Sequence, residues 1–192
     1  MGNVVTEAVG SPLTRANTQF GELQGVAGDY FSTPNVVTTW GELDIRARAQ
    51  IDSIIDGYAF LADKRNSFFL SLNPSGSTQK MRIRIVYASG GQLDYNSAAF
   101  PTSQLGVRNW YRATYDAATG DVKFFTADGN LEAPAISDYV QFGSTLNSGA
   151  NTVAVTTHGF LAGAYEGALA SYPFDGDIYR SQVYNEIDGT TP

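Results

Sequence analysis

The stretch from Trp110 to Gly129, WYRATYDAATGDVKFFTADG, constrains the fold more than any other part of the chain. An aromatic-rich run leads into Asp116-Ala117-Ala118-Thr119-Gly120-Asp121. A second aromatic run follows and ends in Asp128-Gly129. Asp and Gly between two β-forming runs signal a hairpin, because Gly reaches the positive φ that tight connections need. Side chains alternate across a strand. Tyr111, Ala113 and Tyr115 therefore share one face, and Trp110, Arg112 and Thr114 share the other.

The same period recurs along the chain. Leu43, Ile45, Ala47, Ala49 and Ile51 alternate with Glu42, Asp44, Arg46, Arg48 and Gln50. A helix would scatter these charges around its whole circumference, so the pattern reads as an amphipathic strand with a solvent-facing or partner-facing charged side. Opposite signs along that side suggest pairs of side chains. Ser67–Leu72 forms a further strand, closed by a turn at Asn73-Pro74-Ser75-Gly76. Met81–Ala88 places Met81, Ile83, Ile85 and Tyr87 on one face and Arg82 and Arg84 on the other. Gln92–Leu105 reads as loop. Residues 130–150 read as a long loop with a short strand near Tyr139–Phe142. Val153–Thr157, Phe160–Tyr165 and Ile178–Tyr184 read as strands, and Ile187–Pro192 as a loose tail. Many short strands between turn signals, with no convincing helix, favour a sandwich or barrel.

Composition agrees. The 192 residues suit one domain with its own core, 43% are hydrophobic and only 16% charged. Twenty glycines and no cysteine leave a turn-rich chain without disulfides or thiolate metal sites. No apolar run is long enough to span a membrane, and a basic-then-apolar signal pattern is missing, which suggests release into a cytosol. The net charge of −7 is uneven, with +1 on residues 1–112 and −8 on residues 113–192. Nucleic-acid binding needs a basic footprint, so the acidic C-terminal part argues against it. Three divisions follow: an arm or irregular strand over residues 1–28, a sandwich over 29–188, and a tail over 189–192.

Three segments together resemble the concanavalin-like, laminin-G-type jelly rolls. They are Leu43–Ile51, Trp110–Gly129, and Phe174-Asp175-Gly176-Asp177-Ile178 followed by Tyr184-Asn185. In the last, the resemblance implies an inward Phe, a Gly that permits close backbone approach, and an Ile that re-enters the core. The fold it implies is an all-β antiparallel jelly-roll β-sandwich. The phrases GELDIRARAQID, WYRATYDAATGDVKFF and FDGDIYRSQVYNEIDG look like the laminin-G-type modules of bacteriophage virion proteins. That likeness implies a non-enzymatic virion structural protein, namely a capsid decoration protein on the outer head shell, assembled in the bacterial host cytoplasm. Its partners would be the major capsid protein or other shell proteins, with trimeric self-assembly as an option and residues 1–28 as the docking arm. The alternative is a carbohydrate-binding module of a tail or host-attachment apparatus, with a host glycan as partner. Neither reading implies nucleic acid, membrane or a cofactor.

Catalysis finds little footing. Laminarinase-type glucanases of this fold carry Glu, Asp and Glu at alternating positions of one strand. Here Glu42 and Asp44 match, but Arg46 stands where the acid/base belongs. Retaining hydrolysis needs two carboxyls about 5 Å apart, and an Arg cannot protonate a leaving group. His158, the only histidine, lacks a Gly-x-Ser-x-Gly partner motif and reads as a hydrogen-bonded turn residue. Asp175 to Glu186 imitates a calcium hand, but Arg180 occupies the position that needs Gly. Calcium-binding relatives use scattered loop acids, for which Asp116, Asp121, Asp128, Asp175 and Asp177 are the candidates. Tyr95, Trp110, Tyr139, Tyr165 and Tyr172 are the aromatics available to stack on sugars or to fill the core. Met1-Gly2-Asn3-Val4-Val5-Thr6 matches a myristoylation pattern that requires a eukaryotic enzyme and is accidental in a phage protein.

Overall fold

The structure, a computed structural model, describes residues 22–24, 30–33, 40–54, 57–75, 78–101, 105–165 and 174–189. The strands in chain order are β1 (Glu22–Gln24), β2 (Phe31–Ser32), β3 (Glu42–Ile54), β4 (Ala59–Lys64), β5 (Phe68–Ser75), β6 (Thr78–Val86) and β7 (Gln92–Asn96). They continue with β8 (Phe100–Pro101), β9 (Arg108–Asp116), β10 (Asp121–Asp128), β11 (Val140–Gln141), β12 (Leu146–Asn147), β13 (Leu161–Ala162) and β14 (Phe174–Tyr184). Helical structure among the described residues is one 3₁₀ turn at Ile136–Asp138.

The strands form two antiparallel sheets. Sheet A runs β1-β14-β3-β9-β10-β11, with β12 also on β10, and sheet B runs β2-β13-β4-β5-β6-β7, with β8 also on β6. Their facing sides build one core. From sheet A come Leu43, Ile45, Ala47, Ala49, Ile51, Tyr111, Ala113, Tyr115, Val122, Phe124 and Ile178; from sheet B come Leu70, Leu72, Met81, Ile83 and Ile85. Large and small residues alternate across the register: Ala47 lies opposite Tyr111, Ile45 opposite Ala113, and Ala113 opposite Phe124. This interdigitation lets aromatic rings pack into the interlayer space.

Strand β14 is phased by a bulge. Its pairing with β3 shifts register between Ile178 and Arg180. An extra residue in one strand reverses which side chains face inward beyond it. Ile178 and Val183, five positions apart, thereby both join the core, while Tyr179 and Tyr184 reach arginines of sheet A. Gly176 has φ +135°, and a Cβ there would lie 2.2 Å from the Gln50 carbonyl oxygen, so the expected close backbone approach is present.

The hairpin β9–β10 forms as its sequence indicates, with Tyr115 paired to Val122 and Trp110 to Ala127. Asp116 closes its loop, accepting the Ala118 N–H at 2.8 Å and the Thr119 hydroxyl at 2.9 Å. Gly120 has φ +80° and no room for a side chain beneath Gly149.

Several expectations are corrected. Gln92–Leu105 is not all loop, because β7 pairs with β6 from Arg82↔Asn96 to Val86↔Gln92. Its alternation is masked by polar residues on an exposed edge strand. Val153–Thr157 is not a strand; Val153 makes one isolated bridge to Tyr87. The β5 strand runs through Asn73 and Pro74 to Ser75 rather than turning there. Strand β4 gives no alternation in sequence, since all six of its residues are buried, as happens when both faces of a strand are covered. Of the arm, Glu22–Gln24 pair with Asp177–Asp175 at the edge of sheet A; its other residues lie outside the described residues. The tail is not loose at its start: the Ile187 N–H donates to Glu42 and the Asp188 N–H to Asp44. Residues 190–192 lie outside the described residues.

On the outer side of sheet B, Phe69 lies between Arg82 and Arg84, whose guanidinium carbons sit 5.4 and 5.1 Å from its ring centre. Both arginines bind Asp94, and Tyr165 stacks on Phe60 at 5.1 Å.

Candidate functional site

The charged side of β3 is not wet. Asp44 is fully buried, and Arg46 and Arg48 are 6% and 5% exposed. Asp44 accepts two bonds from Arg112 at 2.8 Å, two from Arg46 at 2.6 and 3.2 Å, and the Asp188 N–H at 3.1 Å. Arg112 also binds the Asp188 carboxylate, and Arg46 donates to the Gly189 carbonyl at 3.0 Å. Rings close over these cations. Arg46 lies 4.1 Å from the Tyr184 ring centre, and Arg112 lies 4.7 Å from Phe125 and 5.2 Å from Tyr139. Burial pulls the Arg112 pKa down, but its bonds to Asp44 and Asp188 outweigh it and hold the guanidinium above its ordinary value. Charge pairing was legible in the alternating signs; burial was not, because the cover comes from residues 131–139 and 184–189.

This arrangement ties Glu42 and Asp44 into the fold. Glu42 accepts the Ile187 N–H, and Asp44 has its oxygens taken by five donor contacts. The outer face of sheet A also carries a small depression of about 190 Å³, with Arg112, Lys123, Phe125, Asp116, Asp121 and Asp188 among its lining.

A larger cavity, of about 350 Å³, opens where β10 meets β11. Asn109 and Tyr111 come from β9; Thr126, Ala127 and Asp128 come from β10. Asp138 comes from the 3₁₀ turn, and Val140 and Phe142 come from the β11 segment. The register puts Asn109 opposite Asp128 and Tyr111 opposite Thr126, so the two strands present a polar end and an aromatic wall to one space. The Tyr111 hydroxyl is pushed up to about 12, because burial outweighs its hydrogen bond with Asn109, and it stays neutral at ordinary pH. Val140 is 68% exposed at the rim. Apolar walls with a few convergent polar groups are the ordinary constitution of a small-ligand site, and the volume falls at the small end of that range. Sequence reading missed this cavity. Tyr111 was legible as inward-facing, but the 3₁₀ turn that supplies Asp138 had no periodic signal.

The remaining candidates are dispersed. Asp116 closes the β9–β10 loop, Asp121 accepts from Asn147 at 2.7 Å, and Asp128 accepts from Asn130. Asp175 takes the Ser53 hydroxyl and Asp177 the Tyr179 hydroxyl. Among the described residues, no three His, Asp or Glu side chains stand together as a metal site. Asp175 to Tyr184 is strand, not a calcium-hand loop. His158 accepts Lys64 Nζ on its carbonyl at 2.6 Å, while its buried Nδ1 has no partner among the described residues. Trp110 and Tyr139 are buried against each other, and Tyr95 donates to the Asn147 carbonyl. Tyr172 and the Met1–Thr6 pattern lie outside the described residues. Among the described residues no helix is long and apolar enough to cross a membrane.

No family model matches the chain, and no curated protein sequence does. Solved structures do match. A protein of Bacteroides ovatus assigned provisionally as carbohydrate-binding aligns with 88% of this chain and 44% of its own, at TM-score 0.58 and 14% identity. Mouse laminin α1 domains LG4-5 align with 93% of this chain and 44% of their own, at TM-score 0.57 and 10% identity. Tailspike protein 2 of an Escherichia coli O157:H7 bacteriophage aligns over 85% of this chain and 22% of its own, at TM-score 0.52 and 14% identity. The chain spans less than half the length of each of these. Together with the two-sheet topology, these alignments define the fold as a concanavalin-like, laminin-G-type antiparallel jelly-roll β-sandwich.

Proposed function

We propose that this chain is a non-enzymatic jelly roll of a bacteriophage particle that binds carbohydrate, with the cavity between Tyr111, Thr126, Asp138 and Phe142 as its sugar site. The observation that carries the reading is the contrast between two surfaces of one sheet. The face that bears acids in glucanases of this fold is sealed by Arg46, Arg112 and the 186–189 segment. The β10–β11 end stays open and combines an aromatic wall with carboxylate, amide and hydroxyl groups. Sugars are held by such mixtures, with rings against CH faces and acceptors on hydroxyl groups. The likeness to a provisionally carbohydrate-binding protein and to a phage tailspike supports a glycan ligand and a virion setting.

The test is a glycan array, run with and without calcium, followed by calorimetry on the sugars retained. Thr126→Trp fills the cavity from a half-buried strand position and is expected to abolish binding while the far-ultraviolet spectrum stays unchanged. Undiminished binding by that variant would move the site elsewhere.

A second reading, attachment to the outer head shell as a decoration protein contacting the major capsid protein, is favoured by the resemblance to phage virion modules. It is also favoured by β1, which ties the segment before it to the edge of sheet A. Deleting residues 2–21 spares β1 and should abolish capsid binding with the sandwich intact; capsid binding by the shortened chain would remove the docking arm from this reading.

A further inference from the structure

The cavity at the β10–β11 end carries a charge that narrows its ligand. Two of its lining side chains, Asp128 and Asp138, are carboxylates, and its described lining contains no Lys or Arg. Each carboxylate is held in place by one oxygen. Asp128 Oδ1 accepts the Asn130 N–H at 2.9 Å and its Nδ2 at 3.0 Å. Asp138 Oδ2 accepts the Ala135 N–H at 2.7 Å. The second oxygen of each has no donor among the described residues. The nearest arginine in sequence, Arg108, is turned away: it stacks on the Tyr179 ring at 3.9 Å and donates to its hydroxyl at 2.8 Å. Tyr111 adds a hydroxyl that does not ionise at ordinary pH.

From this lining we infer that the site selects its sugar by charge. It takes glycans that bring donors and positive charge, above all sugars with a free amino group, and it rejects uronates, sulfated sugars and phosphorylated sugars. The inference rests on the carbohydrate-binding reading of the same cavity. A carboxylate with an idle oxygen accepts from vicinal hydroxyls and binds an ammonium by a charge-assisted hydrogen bond. An anionic sugar in the same position meets two exposed like charges with no Lys or Arg in the described lining to offset them, and such juxtaposition is a main source of discrimination between ligands of similar shape. The aromatic and aliphatic walls of Tyr111, Phe142 and Val140 contribute contact to all of these sugars alike, so charge decides between them.

The experiment is calorimetric titration of the full chain with three oligomers of matched length: glucosamine oligomers with protonated amino groups, neutral cello-oligomers, and alginate oligomers. The expected order is glucosamine, then neutral, then alginate, with roughly tenfold or more between the first and last. In the Asp128→Asn, Asp138→Asn double variant that ratio should collapse toward one, with the circular dichroism spectrum unchanged. Alginate binding as tightly as glucosamine would overturn the charge selection while leaving the sugar site standing. Equal discrimination in the double variant would overturn the assignment to these two residues. Binding of none of the three would bring down the carbohydrate reading and this inference with it.

Discussion

Asp44→Asn is the sharpest probe of how this sandwich is held. The side chain is fully buried and receives five contacts from two guanidiniums and a backbone N–H. Asparagine keeps the shape and loses the charge. Arg46 and Arg112, directly opposite each other in the β3–β9 register, would then be two buried cations with no carboxylate between them; Asp188 reaches only Arg112. Removing one partner of a buried ion pair costs about 3–5 kcal/mol, and facing like charges on adjacent strands add to the loss. For a domain of this size each kcal/mol lowers Tm by about 2–4 °C, so a fall of roughly 6–20 °C is expected. Asp94→Asn is the control, since Asp94 also bridges two arginines but its side chain is 29% exposed. Water screens that pair, and the loss should stay within about 0–1 kcal/mol. Urea unfolding followed by Trp fluorescence, with thermal circular dichroism, measures both. A third arm replaces Asp44, Arg46 and Arg112 together by Leu or Met, and it should recover most of the stability, because no charge is left stranded. If Asp44→Asn costs no more than Asp94→Asn, the buried network is not what holds this face.

Three other outcomes follow from single positions. Gly176→Ala forces a Cβ to within 2.2 Å of the Gln50 carbonyl at φ +135°; a loss of about 2 kcal/mol or more is expected by urea titration, well beyond an ordinary Gly-to-Ala change. Burial raises the Asp94 pKa, but the hydrogen bonds from Arg82 and Arg84 outweigh it and hold the carboxyl below its ordinary 3.8. Its contribution is therefore complete above that value and fades as pH falls through the lower folded value, so the stability gap between wild type and Asp94→Asn should close in strong acid. Gly120→Ala should weaken the β9–β10 connection, because the left-handed backbone and the Gly149 carbonyl both exclude a side chain, and amide exchange of Asp121–Asp128 reports it.

The elements that sequence revealed are those whose two faces differ. Strand β9 alternates because Tyr111, Ala113 and Tyr115 fill the core while Trp110 and Arg112 meet the outer cover, and its turn is written in Asp116 and Gly120. Strand β4 was silent, because Ala59–Ala62 are apolar in succession on both of its buried faces. Strand β7 was silent for the opposite reason, as an edge strand with mostly exposed side chains. The alternation of β3 was legible and its meaning was not: Glu42, Asp44, Arg46 and Arg48 have the pattern of a wet face, and only tertiary cover turns them into an interior. Hydropathy records polarity, and polarity matches exposure only where charges lack buried partners.

Arg46 links these observations to function. In the glucanase pattern the corresponding position would carry the proton donor on an open face. Here the guanidinium binds Asp44 and the Gly189 carbonyl and lies against Tyr184, so a position suited to an acid holds the C-terminal segment against the sheet. The segment 187–189 thus lies against this part of β3. At the β10–β11 end the 3₁₀ turn leads into β11, which pairs at the edge of β10. Asp128 and Asp138 are accordingly left with unspent acceptors in a space bordered by Tyr111 and Phe142, whereas Asp44 of β3 has both oxygens occupied.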